Sequence, residues 1–132
     1  MSELLNACKA LAALVRDHGQ PTIDEVNFVA HSALELGLDL DQNAEVQGVL
    51  QDGGDFAQLV STIDSRDVRV FLFRRIVEAT LLDDQINEAE RRYIATTAQT
   101  FGYPDDVVDE FVAWMRDGME WEKRGLGIIE RM

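Results

Sequence analysis

The sequence predicts an all-α protein. It reads as one compact domain, 1–132, of seven to eight helices, with two pseudo-symmetric three-helix halves joined by a short helix. Three observations predict this. Apolar residues recur at three- and four-residue spacing almost throughout. No segment shows the strict apolar–polar alternation of a half-buried strand. Features of the first half also return in the second at one constant offset, so that about 4–53 and 69–118 read as repeats.

Leu4, Leu5, Cys8, Leu11, Ala12 and Val15 form one stripe and predict a first helix over 3–16. The segment from Asp17 to Pro21 breaks it. A second helix starts at Thr22, buries Val26, Val29, Ala33 and Leu36, and stops at Gly37. The third follows Asp41, carries Ala44, Val46, Val49 and Leu50, and ends at Asp52-Gly53-Gly54. Phe56, Leu59, Val60 and Ile63 mark a short fourth helix. The fifth, about 66–82, is the most apolar and is expected at the centre, with Val68, Phe71, Leu72, Ile76 and Val77. A sixth runs from Asn87 to Phe101, with Tyr93, Ile94, Ala98 and Phe101 inward, and Gly102-Tyr103-Pro104 ends it. The seventh, after Asp105, carries Val107, Val108, Phe111, Val112 and Met115 and stops at Asp117-Gly118. The last stretch, Met119 to Met132, is interrupted by Gly125 and Gly127 and is expected to be helical only in part.

A shift of 65 positions puts Glu25 on Glu90, Phe28 on Tyr93, Gly37 on Gly102, Glu45 on Glu110 and Asp52-Gly53 on Asp117-Gly118. Two such units packed together would leave two equivalent inter-helix turns.

Charge is the strongest global signal. The chain has 25 acidic and 12 basic residues, a net charge of −13 and a pI near 4.3. Phosphate binding needs a basic patch, so nucleic acid is a poor partner. A metal cation or a basic protein partner suits the surface better, although acids also serve plain solubility. Cys8 is the single cysteine, which excludes an internal disulfide and fits a reducing, cytoplasmic setting. No signal-peptide pattern and no run of about 18 uncharged apolar residues occurs, so no transmembrane segment is expected.

The turns carry the sharpest site. Thr22-Ile23-Asp24-Glu25 and Asn87-Glu88-Ala89-Glu90 both have capping-box spacing, which alone accounts for Glu25 and Glu90. Asp83 and Asp84 lie at the end of the fifth helix, where the helix dipole disfavours acids. Solvent, the N-terminus of the next helix or a bound divalent cation, calcium- or magnesium-like, would offset that cost. The candidate ligands are therefore Asp83, Asp84 and Glu90 in the second turn, with Asp24, Glu25 and His18 in the first. An EF-hand is excluded: with Glu90 as the twelfth loop residue, Ala79 and Leu81 would occupy the first and third positions, and neither side chain offers an oxygen.

The run Asp83, Asp84, Ile86, Glu90, Ile94, Ala98 and Gly102 resembles the TerB-like family, which is associated with tellurite resistance and bacterial stress responses. That family usually has Asp-Gly where Asp83-Asp84 stands, and the first turn departs further with His18 and Pro21. The resemblance covers about residues 4–118. It implies an all-helical fold of two related halves and a divalent-cation site at acids such as Asp83 and Glu90. It further implies a stress role at the inner membrane face exerted through protein partners, without enzyme activity.

Other chemistry is weakly represented. There is no Gly-rich phosphate loop, paired-cysteine motif or His-Glu-x-x-His, so no catalytic residue is assigned. Cys8 reads as a small core residue, and His31 as a core or rim histidine. Arg66, Arg69, Arg74 and Arg75 pair with nearby acids, or Arg74-Arg75 meets an anionic partner. Trp121, with Lys123 and Arg124, either covers the edge of the core or docks a partner or lipid headgroup.

Overall fold

The computed structural model describes residues 2–17, 19–81 and 88–132. Among them seven helices follow in chain order: α1 (Glu3–Asp17), α2 (Ile23–Glu35), α3 (Leu40–Asp52), α4 (Phe56–Ser61), α5 (Arg66–Leu81), α6 (Glu88–Phe101) and α7 (Asp105–Glu130). No described residue lies in a strand. The all-α class follows from the helical spacing of the apolar residues.

The centre is α1 rather than the expected α5. From Leu5 to Val15 every residue but Lys9 is buried, and α2, α3, α4 and α5 all pack against it. Ala7, Ala10, Ala12 and Ala13 are each 0% exposed. Small side chains shorten the distance at which helices can pack, so α1 accepts neighbours on several sides. Counting large apolar residues favours α5 and overlooks this. α5 buries Leu72, Phe73, Ile76 and Val77 and links α1 to α6 and α7.

Polar ties fix how the helices sit on α1. Asn6 Nδ2 donates to Thr62 Oγ1 at 2.9 Å, just past α4. The Glu3 carboxylate accepts the backbone N–H groups of Asp64 and Ser65, at the start of α5. Those two donors hold the Glu3 carboxyl below its usual range, Ser65 most strongly. Arg16 Nε donates to the Gln51 carbonyl at 3.0 Å, in the last turn of α3, where carbonyls lack helix partners.

Helix starts follow cap chemistry. Thr22, Asp39 and Asp55 accept from the third residue into α2, α3 and α4. Asp39 and Gln42 form a reciprocal capping box, so α3 begins at Leu40, ahead of the expected start after Asp41. Ala44, expected inside, is exposed.

The ends of α2 and α6 share one construction. Gly37 and Gly102 have φ of 72° and 74°. Leu38 N donates to Ala33 O at 3.1 Å and Tyr103 N to Ala98 O at 2.9 Å. This is the Schellman closure, which calls for a left-handed residue that glycine adopts without strain. One turn earlier, the buried hydroxyls of Ser32 and Thr97 donate to the carbonyls of Phe28 and Tyr93.

α7 departs most from expectation. It does not stop at Asp117-Gly118; it continues through Gly118, Gly125 and Gly127 to Glu130, 26 residues in all. A glycine ends a helix when it turns left-handed, and these three keep helical backbone. In mid-helix each costs only about 1 kcal/mol relative to alanine. Phe111 and Met115 pack toward the core, and Phe111 lies 5.4 Å from Phe73. Beyond Met119 the helix leaves the core, and Trp121, Leu126, Ile128 and Ile129 are exposed.

Candidate functional site

The first turn is built as a cap. Glu25 N donates to Thr22 Oγ1 at 3.1 Å, and Thr22 N donates to Glu25 Oε1 at 2.9 Å. One carboxylate oxygen of Glu25 is thus committed to closing α2. Asp24, next to it, is exposed in the first turn of α2. His18 lies outside the described residues.

Of the second turn, Asp83 and Asp84 also lie outside the described residues, as does Asn87. Glu90 is described. It stands in the first turn of α6 and is 3% exposed, in the part of a helix whose dipole favours a carboxylate.

Tyr93 connects the two ends. Its hydroxyl donates to Asp17 Oδ2 at 2.5 Å, and its ring meets Phe56 edge-on at 4.9 Å. Burial pushes the Tyr93 phenol up, and the bond to Asp17 and that carboxylate's charge add to it. The last residue of α1 therefore touches α6 about one turn past Glu90. Among the described residues, no three of His, Cys, Asp and Glu stand close enough to hold a metal ion.

The chain was compared with protein-family models, curated proteins and solved structures. It matches none of them. No helix among the described residues is long and apolar enough to cross a membrane.

The basic residues of α5 divide by partner. Arg75 Nη1 donates to Glu78 Oε2 at 3.0 Å, and its other nitrogen bonds Glu35 of α2. Its guanidinium also lies over Phe28 and Phe71, at 5.6 and 5.4 Å from the ring centres. Arg69 stacks over Phe101 at 5.0 Å and donates to the Ile63 carbonyl. Arg74 is exposed and sits 5.5 Å over Trp114. It lines an open cleft of about 970 Å³ where α5 and α7 diverge, with Glu78, Leu81, Met115 and Trp121.

Cys8 is fully buried, and burial raises its thiol to about 12, which removes thiolate chemistry. His31 is exposed, not a core or rim residue. Trp121 does not cover the core edge; it is 66% exposed.

Helical spacing reveals a further feature that residue-type scanning missed. Asp106, Glu110, Asp117 and Glu120 lie four, seven and three positions apart, which aligns them along one outer face of α7. All four are exposed, and none has an ion-pair partner among the described residues.

Proposed function

We propose that this chain is a non-enzymatic interaction domain that docks a basic protein segment on the acidic outer face of α7. The observation carrying this reading is the exposed row Asp106–Glu110–Asp117–Glu120, which has no ion-pair partner among the described residues. At 1.5 Å per residue the row spans about 21 Å. Its members lie closer together than or near the ~8 Å screening length at physiological salt, so their potentials overlap. A helix or extended segment bearing lysine or arginine at matching intervals would neutralise the row. A cytoplasmic location, and access to the inner membrane face only through such a partner, belong to this proposal.

The test uses the whole chain and a labelled lysine-rich helical peptide, read by fluorescence anisotropy. Binding should weaken steeply between low and physiological salt and persist in chelator. Replacing the row by Asp106→Asn, Glu110→Gln, Asp117→Asn and Glu120→Gln should weaken it about tenfold or more. Binding unchanged by these replacements would sink the reading.

A second reading keeps the family resemblance: a TerB-like, cation-responsive stress protein with ligands at the turns. The Tyr93–Asp17 contact favours it, because it draws the start of α6 to the end of α1, where the first turn begins. A divalent ion that binds only the folded chain raises its melting temperature by mass action. Calorimetric titration with calcium and magnesium should then show heat with the wild type and lose it in Asp83→Asn/Glu90→Gln. No heat with the wild type removes this reading.

A further inference from the structure

The part of α7 beyond Met119 exposes Trp121, Leu126, Ile128 and Ile129 at 66, 58, 53 and 62%. So much apolar surface facing water calls for a covering partner. This stretch also contains Gly125 and Gly127, each costing a helix about 1 kcal/mol. As an isolated helix it is intrinsically weak, and a packing partner would offset that.

The spacing says what shape of partner fits. Trp114, Gly118, Trp121, Gly125 and Ile128 recur at alternating steps of four and three, the period of a two-helix seam. Large residues alternate with glycines along it. At Gly118 and Gly125 an added Cβ would meet nothing within 4 Å, so both positions are open notches. In a parallel self-pair, tryptophan would face tryptophan and notch would face notch. In an antiparallel self-pair centred near residue 123, Trp121 enters the notch at the partner copy's Gly125, and Ile128 enters the notch at its Gly118. The seam is thus complementary to its own reverse.

Charge selects the same occupant. Beyond Met119 the chain has three acids, Glu120, Glu122 and Glu130, and three bases, Lys123, Arg124 and Arg131. This stretch is neutral while the whole chain carries −13. Two copies can approach here without net repulsion: beside the antiparallel seam Asp117 meets the partner copy's Arg131, while Glu122 and Arg124, nearest the axis, each face their own copy, one acidic and one basic pair that offset in sum. An anionic lipid surface would be repelled by the net charge, and a basic segment finds no excess of acid on this stretch. Trp114, Trp121 and Ile128 on the seam, with Ile129 beside it, supply part of the about 800 Å² per partner that a specific interface removes from water.

We infer that the distal half of α7 pairs antiparallel with the same segment of a second copy, through tryptophan-into-glycine packing. This does not depend on the basic-partner reading: the seam and the acidic row lie on adjoining faces of the helix and share only Asp117 at their border.

Sedimentation equilibrium of the full chain over about 1–300 µM should show a monomer–dimer equilibrium in the micromolar range. Trp121→Ala should raise the dissociation constant about tenfold or more. Gly125→Ala separates the seam from mere exposure, because it strengthens the helix yet fills the notch. It should raise helicity by circular dichroism while weakening the dimer. Orientation is read by mild oxidation: Arg124→Cys should cross-link to itself, as an antiparallel flank position does, and Gly118→Cys should not. A chain that stays monomeric over the whole range overturns the proposal. So does a dimer unaffected by both Trp121→Ala and Gly125→Ala. A monomer whose tryptophan emission shifts blue on phosphatidylglycerol vesicles also overturns it and assigns the face to lipid.

Discussion

The Tyr93 hydroxyl donates a hydrogen bond to an Asp17 carboxylate oxygen 76 positions earlier in the chain. This bond pins α6 to the end of the central helix, and the Phe56 ring holds the phenol from the side. Tyr93→Phe keeps the ring contact and deletes only the donor. A hydrogen bond to a charged acceptor contributes about 1.5–3 kcal/mol net. Thermal or urea unfolding should show a loss of that size, with native helicity retained. A loss near zero would mean that water replaces the phenol at Asp17.

The same phenol predicts alkaline behaviour. Burial raises both tyrosines, Tyr93 and Tyr103, above their usual value, and the bond to Asp17 adds to the effect at Tyr93. A group whose folded pKa is raised stabilises the fold below its unfolded value, near 10 for tyrosine, and loses that contribution as pH climbs through the folded value. Spectrophotometric titration should therefore show little phenolate around pH 10 in the folded chain. Phenolate should appear together with loss of helical signal at higher pH. Free titration near 10 with helicity intact would contradict the burial of both rings.

Glu3 predicts the acid side. Its carboxyl is held below the ordinary range by the N–H groups of Ser65 and Asp64. A depressed folded pKa gives stability that is present above the unfolded value, about 4.3 for glutamate, and is lost as pH falls through the folded value. Glu3→Gln keeps an acceptor oxygen and removes the charge. The melting-temperature gap between wild type and Glu3→Gln should be open at pH 7. It should narrow below about pH 4. A gap independent of pH would assign the effect to shape rather than charge.

Much of this fold can be read from short-range chemistry. Thr22 with Glu25 marks the start of α2, and Gly37 and Gly102 mark the ends of α2 and α6, because caps and left-handed glycines act within a few residues. The same pattern at Asp39 and Gln42 marks α3 once the start is placed on Asp39 rather than Asp41. The role of α1 is less legible, since alanines contribute little to a hydrophobic count yet allow close packing on several sides. The length of α7 is also hidden, because a glycine's φ cannot be read from its identity. Of the candidate turn acids, Glu25 stands where its spacing predicts. Asp83, Asp84 and His18 fall outside the described residues. Arg75 joins Glu35 from 40 positions away, a contact that no local pattern encodes.

Arg75 is the better buried partner of its ion pair with Glu35. Its side chain is 16% exposed, while Glu35 is 53% exposed. That pair couples α5 to α2, and the rings of Phe28 and Phe71 flank the guanidinium. An exposed ion pair contributes about 0–1 kcal/mol, and stacking over a ring adds about 0.5–1 kcal/mol. Arg75→Ala should therefore cost about 1–2 kcal/mol, because pairing and stacking are lost together. Arg75→Lys keeps the charge but not the planar fork, so it should recover only part of that loss. Arg66→Ala is the control: its side chain is 87% exposed and its Asp67 partner lies 3.9 Å away. It should change unfolding free energy by less than about 0.5 kcal/mol. If Arg75→Lys were as stable as wild type, charge alone would account for the contact, and the stacking on Phe28 and Phe71 would contribute nothing to holding α2 against α5.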